Sequence, residues 1–183
     1  IESERTIQMG NGNRGNIMII KNGLVFTPEG KFEKKDLYVE GEYVAKETTD
    51  NKEVEAEGCY VIPGLVDIHF HGCVRHDMCD GTEESIQALA DYEAANGVLA
   101  ICPATMTIPE EELFQAMKAA KGHKNGKGAD LVGINMEGPF INKEKKGAQK
   151  EEDIKLADVE LFHKLQEAAG GLIKLVDLAP ETE

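Results

Sequence analysis

The sequence has no tryptophan, which decides nothing alone, but other absences exclude whole classes of function. No apolar run approaches the roughly 20 residues needed to cross a bilayer, so no membrane role is expected. No Gly-x-Gly-x-x-Gly or Walker-type loop follows any expected strand, so nothing supports nucleotide binding. The four cysteines, Cys59, Cys73, Cys79 and Cys102, form no Cys-x-x-Cys pair. A chain of 183 residues does not need disulfide staples, so a reducing cytoplasm fits. These cysteines read as small buried apolar residues rather than ligands. Basic residues are scarce: 20 Lys and Arg face 34 Asp and Glu, for a net charge of -14. Such a chain repels nucleic acid and anionic membrane surfaces, and an anionic substrate would need a local positive field. Residues 1–16 contain no apolar stretch and read as a flexible polar leader rather than a signal peptide.

What remains is ordinary globular material. At 41% hydrophobic and 30% charged residues the composition fits a soluble domain. A chain this long buries roughly 70% of its unfolded surface, enough for a true core.

Residues 17–60 show short strands and turns. The segments Ile17-Met18-Ile19-Ile20, Leu24-Val25-Phe26 and Asp36-Leu37-Tyr38-Val39 predict strands, with turns at Lys21-Asn22-Gly23 and Glu40-Gly41. The period changes near Cys59. Residues 61–183 alternate apolar strands with helices: an apolar run Tyr60 to Phe70, a helix over 83–96, a strand Val98 to Cys102, and a helix opened by Pro109 and closed at Gly122. A strand Leu131 to Met136, a helix Ala157 to Ala169 and a strand Leu172 to Ala179 follow. Apolar strands separated by helices predict a parallel sheet, either doubly wound or a TIM barrel.

Three constellations carry chemistry. In Pro63-Gly64-Leu65-Val66-Asp67-Ile68-His69-Phe70-His71-Gly72, residues two apart on a strand share a side. His69 and His71 can therefore chelate a divalent metal at the C-terminal end of the first barrel-type strand, with Asp67 placed to orient a ligand. The plain alternative is two polar residues at a strand end. In Ile134-Asn135-Met136-Glu137-Gly138-Pro139, a buried strand ends in a carboxylate and the chain turns behind it. Glu137 is thus placed to ligate a metal or move a proton, or merely to be solvated. Lys143, Lys145, Lys146 and Lys150 form a basic cluster that reads either as a solvated loop or as local attraction for a phosphate. His76 follows the first strand, facing either site or solvent, while His123 and His163 read as surface residues.

Taken in order, Ile19-Ile20-Lys21-Asn22-Gly23, the His-x-His stretch, Pro103-Ala104-Thr105, Glu137-Gly138-Pro139-Phe140-Ile141, Lys146-Gly147-Ala148 and Leu178-Ala179-Pro180-Glu181 carry a resemblance. The series resembles the N-acetylglucosamine-6-phosphate deacetylase family of the amidohydrolase superfamily, from about Ile17 onward. The resemblance implies an α/β fold: the N-terminal portion of a (β/α)8 TIM barrel, preceded by a small β-sandwich segment. It implies metal-dependent removal of the N-acetyl group of N-acetylglucosamine 6-phosphate, with zinc or iron as cofactor and the sugar phosphate as small-molecule partner. His69, His71 and Glu137 would be metal ligands, and Ala148 and Gln149 would contact substrate, although the family usually has His where Gln149 stands. The family's catalytic Asp and two further histidines lie downstream, so this chain alone is expected to be inactive. Alternatives are an amidohydrolase acting on another amide and a non-catalytic half-barrel that binds a partner. A half-barrel has open edges and uncovered apolar strand faces, so a homodimer is expected.

Overall fold

A computed structural model of the chain describes residues 18–41, 43–48 and 52–182. The expected leader and the strand start at Ile17 lie outside them. The chain divides between Gly64 and Leu65 into two compact units.

Among its described residues the first unit is one five-stranded mixed sheet. Strands β1 (Met18–Phe26), β2 (Phe32–Glu40), β3 (Tyr43–Ala45), β4 (Glu53–Glu55) and β5 (Tyr60–Val61) build it, with β2 antiparallel and β4 and β5 parallel to β1. The turn expected at Lys21-Asn22-Gly23 is instead a bulge within the continuous β1. Asn22 takes a left-handed backbone (φ 61°), which asparagine tolerates well. The Asn22 backbone N–H donates to Asp36 Oδ1 at 2.9 Å, so the irregularity is tied to β2 rather than ending the strand.

The second unit alternates strand and helix. Its strands are β6 (Leu65–Asp67), β9 (Val98–Ile101), β10 (Asp130–Leu131), β11 (Ile134–Glu137) and β12 (Ile173–Asp177), all parallel to their neighbours. The apolar run Tyr60 to Phe70 is therefore shared: β5 pairs with β1, and β6 pairs with β9. The single strand expected over Leu131 to Met136 is broken in two. β10 pairs with β9 and β11 with β12, and the chain steps between them at Gly133. A Cβ there would lie 2.6 Å from Lys174 Cγ and 2.7 Å from Cys102 Sγ, so only glycine fits the crossing. A bridge from Ala104 to Asn135 rejoins the two sheets.

Helix α1 (Glu83–Ala95) starts where Thr82 Oγ1 accepts the Ser85 N–H at 3.1 Å, with Glu83 and Glu84 in the positive first turn. Helix α2 (Glu110–Gly122) follows Pro109, whose carbonyl accepts the Leu113 N–H. Helix α3 (Val159–Ala168) begins two residues later than the sequence predicts, because the Asp158 side chain accepts the Leu161 N–H and caps it there. Each helix buries one stripe: Ile86 and Leu89, Leu113 and Met117, Leu161 and Leu165. These pack with Ile101, Ile134 and Met136 into one core. Leu65, Val66, Leu175 and Val176 in the strands, and Val132 between β10 and β11, stand 37–58% exposed.

A short hairpin that the sequence reading did not anticipate, β7 (Gly72–Cys73) and β8 (His76–Asp77), follows the β6 segment. Val74 and Arg75 turn it with positive φ, the geometry of a two-residue hairpin loop.

Candidate metal centre

Beyond the ends of β6 and β9 the chain runs on beside β11, and backbone hydrogen bonds tie the three segments together. The Cys102 N–H donates to Asp67 O, Ala104 N–H to Phe70 O, Asn135 N–H to Pro103 O, and Thr105 N–H to Asn135 O, all at 2.7–3.0 Å. These bonds hold residues 67–71 in register with residues 134–137 across the intervening strand. The Met78 N–H closes onto His71 O at 3.0 Å and fixes the far end.

As a result His69, His71 and Glu137 converge at the C-terminal ends of the strands. One ligating atom from each lies within 4.8 Å of the others. Glu137 Oε2 is 3.4 Å from His69 Nε2 and 3.3 Å from His71 Nε2. The rings meet edge to face, 5.3 Å apart at 80°, which turns both Nε2 atoms toward one carboxylate oxygen. Tetrahedral ligands bonded to zinc at about 2.0–2.1 Å lie about 3.3 Å from each other, so this spacing fits a shared divalent ion. Two imidazoles and a carboxylate suit zinc or iron.

Glu137 is itself held. Gln149, 4% exposed, donates from Nε2 to Glu137 Oε1 at 2.6 Å and accepts the Thr107 N–H on Oε1 at 2.5 Å. One carboxylate oxygen is thus occupied, and the other faces the histidines. The chain turns away immediately after Glu137 because Gly138 has φ 72° and a Cβ there would collide with Thr107 Oγ1. Ala148, adjacent to Gln149, is exposed.

Asp67, expected to orient a ligand, accepts the backbone N–H of His69 at 3.0 Å, and Asn135 Nδ2 lies 2.8 Å from His69 Nδ1. The sequence reading missed Asn135 and Thr107 as site residues. For Asn135 a signal existed: it is a polar residue inside an apolar strand, two positions before Glu137 and so on the same side.

The other candidates lie apart from this group. His76 sits in the hairpin with Nδ1 3.2 Å from Ser85 Oγ and 3.9 Å from Asp80 Oδ2. His123 lies at the end of α2, where burial pushes its pKa down, and His163 lies in α3 beside Phe162. Lys143 and Lys145 form an exposed 3-10 turn, Lys150 is exposed, and Lys146 Nζ donates to Gln149 O at 3.1 Å. Cys59, Cys73, Cys79 and Cys102 form no disulfide. Cys79 accepts the Met106 N–H, but burial wins and pushes its pKa up to about 12.

No family model matches the chain. An N-acetylglucosamine-6-phosphate deacetylase of Bacillus subtilis (strain 168) is 35% identical over 171 residues, covering 90% of this chain and 42% of that protein. An N-acetylgalactosamine-6-phosphate deacetylase of Escherichia coli O157:H7 is 27% identical over 168 residues, covering 90% of this chain and 45% of that protein. A crystal structure of N-acetylglucosamine-6-phosphate deacetylase from Pasteurella multocida superposes with a TM-score of 0.79 at 21% identity, covering 91% of this chain and 45% of that one. The chain therefore spans less than half the length of these relatives, and it is similar to the N-terminal part of such deacetylases. Its fold is the N-terminal portion of their barrel, preceded by a small β unit.

Proposed function

We propose that this chain, similar over most of its length to the N-terminal part of N-acetylglucosamine-6-phosphate deacetylases, supplies the metal-holding part of a deacetylase. The substrate is N-acetylglucosamine 6-phosphate, and the products are glucosamine 6-phosphate and acetate. The observation that carries this reading is the convergence of His69, His71 and Glu137 within 4.8 Å at the C-terminal strand ends, where barrel enzymes place their chemistry.

A divalent ion, zinc or iron, supplies polarisation of an amide carbonyl and acidification of water when bound. The chain's own residues provide the cradle. His69 and His71 offer their Nε2 atoms, Glu137 offers one carboxylate oxygen, and Gln149 keeps the other oxygen turned away. Lys143, Lys145, Lys146 and Lys150 offer the local positive field that an anionic sugar needs in a protein of charge -14. The resemblance makes Ala148 and Gln149 the substrate-side pair, and in this chain Gln149 is buried and bonded to Glu137 and Thr107. Proton transfer belongs to an Asp that the resemblance places outside these 183 residues, so the chain alone releases no acetate. We place the chain in a reducing, cytoplasmic setting, which suits four cysteines that form no disulfide. Among the described residues no helix is long and apolar enough to cross a membrane.

The test is metal analysis of the dialysed chain beside a His71→Leu variant. Retention of zinc or iron by the first and its loss by the second supports the reading. Equal content in both overturns it. Acetate release from the glucosamine and galactosamine forms of the substrate by the gene's whole product then decides the sugar.

A second reading, a non-catalytic half-barrel, draws on the exposed Leu65, Val66, Val132, Leu175 and Val176. We assign these exposed apolar residues to contact with a second copy of the chain, giving a homodimer in either reading.

A further inference from the structure

Four residues of the basic loop, Lys146-Gly147-Ala148-Gln149, form a turn that is closed twice. The Gln149 N–H donates to Lys146 O at 3.1 Å, and Lys146 Nζ donates to Gln149 O at 3.1 Å. Gly147 has φ 58°, a positive value that the second residue of a turn can require and that glycine supplies without strain. Both main-chain polar groups of Gln149 are therefore bonded to one residue, Lys146.

The Gln149 side chain is buried and bonds inward. Thr107 is 1% exposed, and its backbone N–H can only donate, so Gln149 Oε1 must face it. Nε2 is left for Glu137 Oε1, at 2.6 Å. A main-chain donor thus fixes the carboxamide this way round, whatever the protonation of any side chain. Gln149 is bonded at its N–H, its C=O, Oε1 and Nε2, so a shift of the turn is passed on to the Glu137 carboxylate. Lys146 also differs from the other lysines of the loop. Lys143, Lys145 and Lys150 are exposed, whereas Lys146 is half-buried. In a chain of charge -14 its ammonium pairs with no carboxylate among the described residues and is held on a main-chain carbonyl instead.

We infer that Lys146 is a positioning residue for the metal centre: its ammonium clamps the turn that holds the Gln149 carboxamide against Glu137. This rests on the metal reading above and adds a residue that acts on the cradle only through Gln149. Charge alone predicts the opposite effect. A positive group near a bound cation repels it, so by charge alone removing the Lys146 ammonium would tighten metal binding. Through the clamp, removing it weakens binding, and the sign of the change separates the two.

The test is zinc affinity, measured by competition with a colorimetric chelator, in a double-mutant cycle of Lys146→Met and Gln149→Leu. Losing a direct outer support costs about 10- to 100-fold, and Lys146 acts one step further out, so Lys146→Met should weaken zinc binding about 3- to 10-fold. Lys146→Arg keeps a charged donor of similar reach and should stay within about twofold of the unaltered chain. In the Gln149→Leu background, Lys146→Met should add less than about twofold, because its route runs through the missing carboxamide. A general loss of packing would give additive effects and no rescue by arginine. If the unaltered chain holds no zinc, the metal reading fails and this inference with it. If the unaltered chain holds zinc, three results overturn this inference alone: unchanged or tighter binding by Lys146→Met, an equal weakening by Lys146→Arg, or an undiminished effect of Lys146→Met once Gln149 is replaced. Should Gln149→Leu not fold, the sign of the Lys146→Met effect and its rescue by arginine still decide.

Discussion

Replacing Gln149 by Leu should damage both stability and the metal cradle, and its size can be worked from the contacts. Gln149 is 4% exposed and makes two bonds out of water, one to Glu137 Oε1 and one from the Thr107 N–H. Thr107 is 1% exposed, so no water can replace the lost acceptor for its N–H. Leaving that donor unpaired costs about 1–3 kcal/mol. A hydrogen bond to a charged group is worth about 1.5–3 kcal/mol, but the Glu137 side chain is 24% exposed and water recovers part of it. Leucine returns some apolar burial, so the net loss should be about 2–3 kcal/mol. Urea unfolding of the metal-free chain, followed by circular dichroism, should show a lower midpoint at unchanged slope. Zinc affinity should also fall about 10- to 100-fold, because Glu137 is no longer held with Oε2 toward the histidines. A loss under about 0.5 kcal/mol, within the range of ordinary surface substitutions, with unaltered zinc affinity would refute the claim that Gln149 supports Glu137.

Three further outcomes are expected. Cys79, whose thiol burial pushes up to about 12, should stay unmodified by iodoacetamide at pH 8 in the native chain and react in urea; peptide mass spectrometry showing equal rates in both would contradict the packing described around it. The Lys21 ammonium, 2.8 Å away, and the Asn22 N–H hold Asp36 below its ordinary value, so its contribution to stability is present above about pH 3.9 and disappears as pH falls through the lower folded value. Asp36→Asn should therefore destabilise the chain at pH 7 and have little effect near pH 2, and a carboxyl titration midpoint at or above the ordinary value would count against this. Sedimentation of the chain at rising concentration should show a dimer, while a monomer that binds no hydrophobic dye would remove the argument built on the exposed strand faces.

Much of the architecture was legible from local chemistry. Pro109 at the start of α2 and the glycines Gly97 and Gly170 after α1 and α3 mark helix ends through backbone limits that act within a few residues, whereas the Asp158 cap that starts α3 two residues late went unread. The apolar strands announced a parallel sheet for the same reason. Less legible were the features set by distant neighbours. The bulge at Asn22 depends on Asp36, and the break at Gly133 depends on Lys174 and Cys102.

The site divides along the same line. His69, His71 and Glu137 were readable as donors because spacing on extended chain and position at strand ends are properties of sequence. Their meeting at one carboxylate oxygen was not, since it needs the register that Cys102, Ala104 and Thr105 impose between segments some 66 residues apart. The same holds for the supports. Gln149 was legible as a site residue only through resemblance, and its bond to Glu137 was decided by a loop folding back 12 residues later. Asn135 was visible as a polar residue in an apolar strand, but which ring it touches is a fact of packing. Sequence by itself determined which side chains could donate to a metal and which elements carry them. Tertiary structure alone decided which carboxylate oxygen faces the imidazoles and which amides hold them there, because hydrogen bonds between remote segments depend on fractions of an ångström that no local pattern encodes.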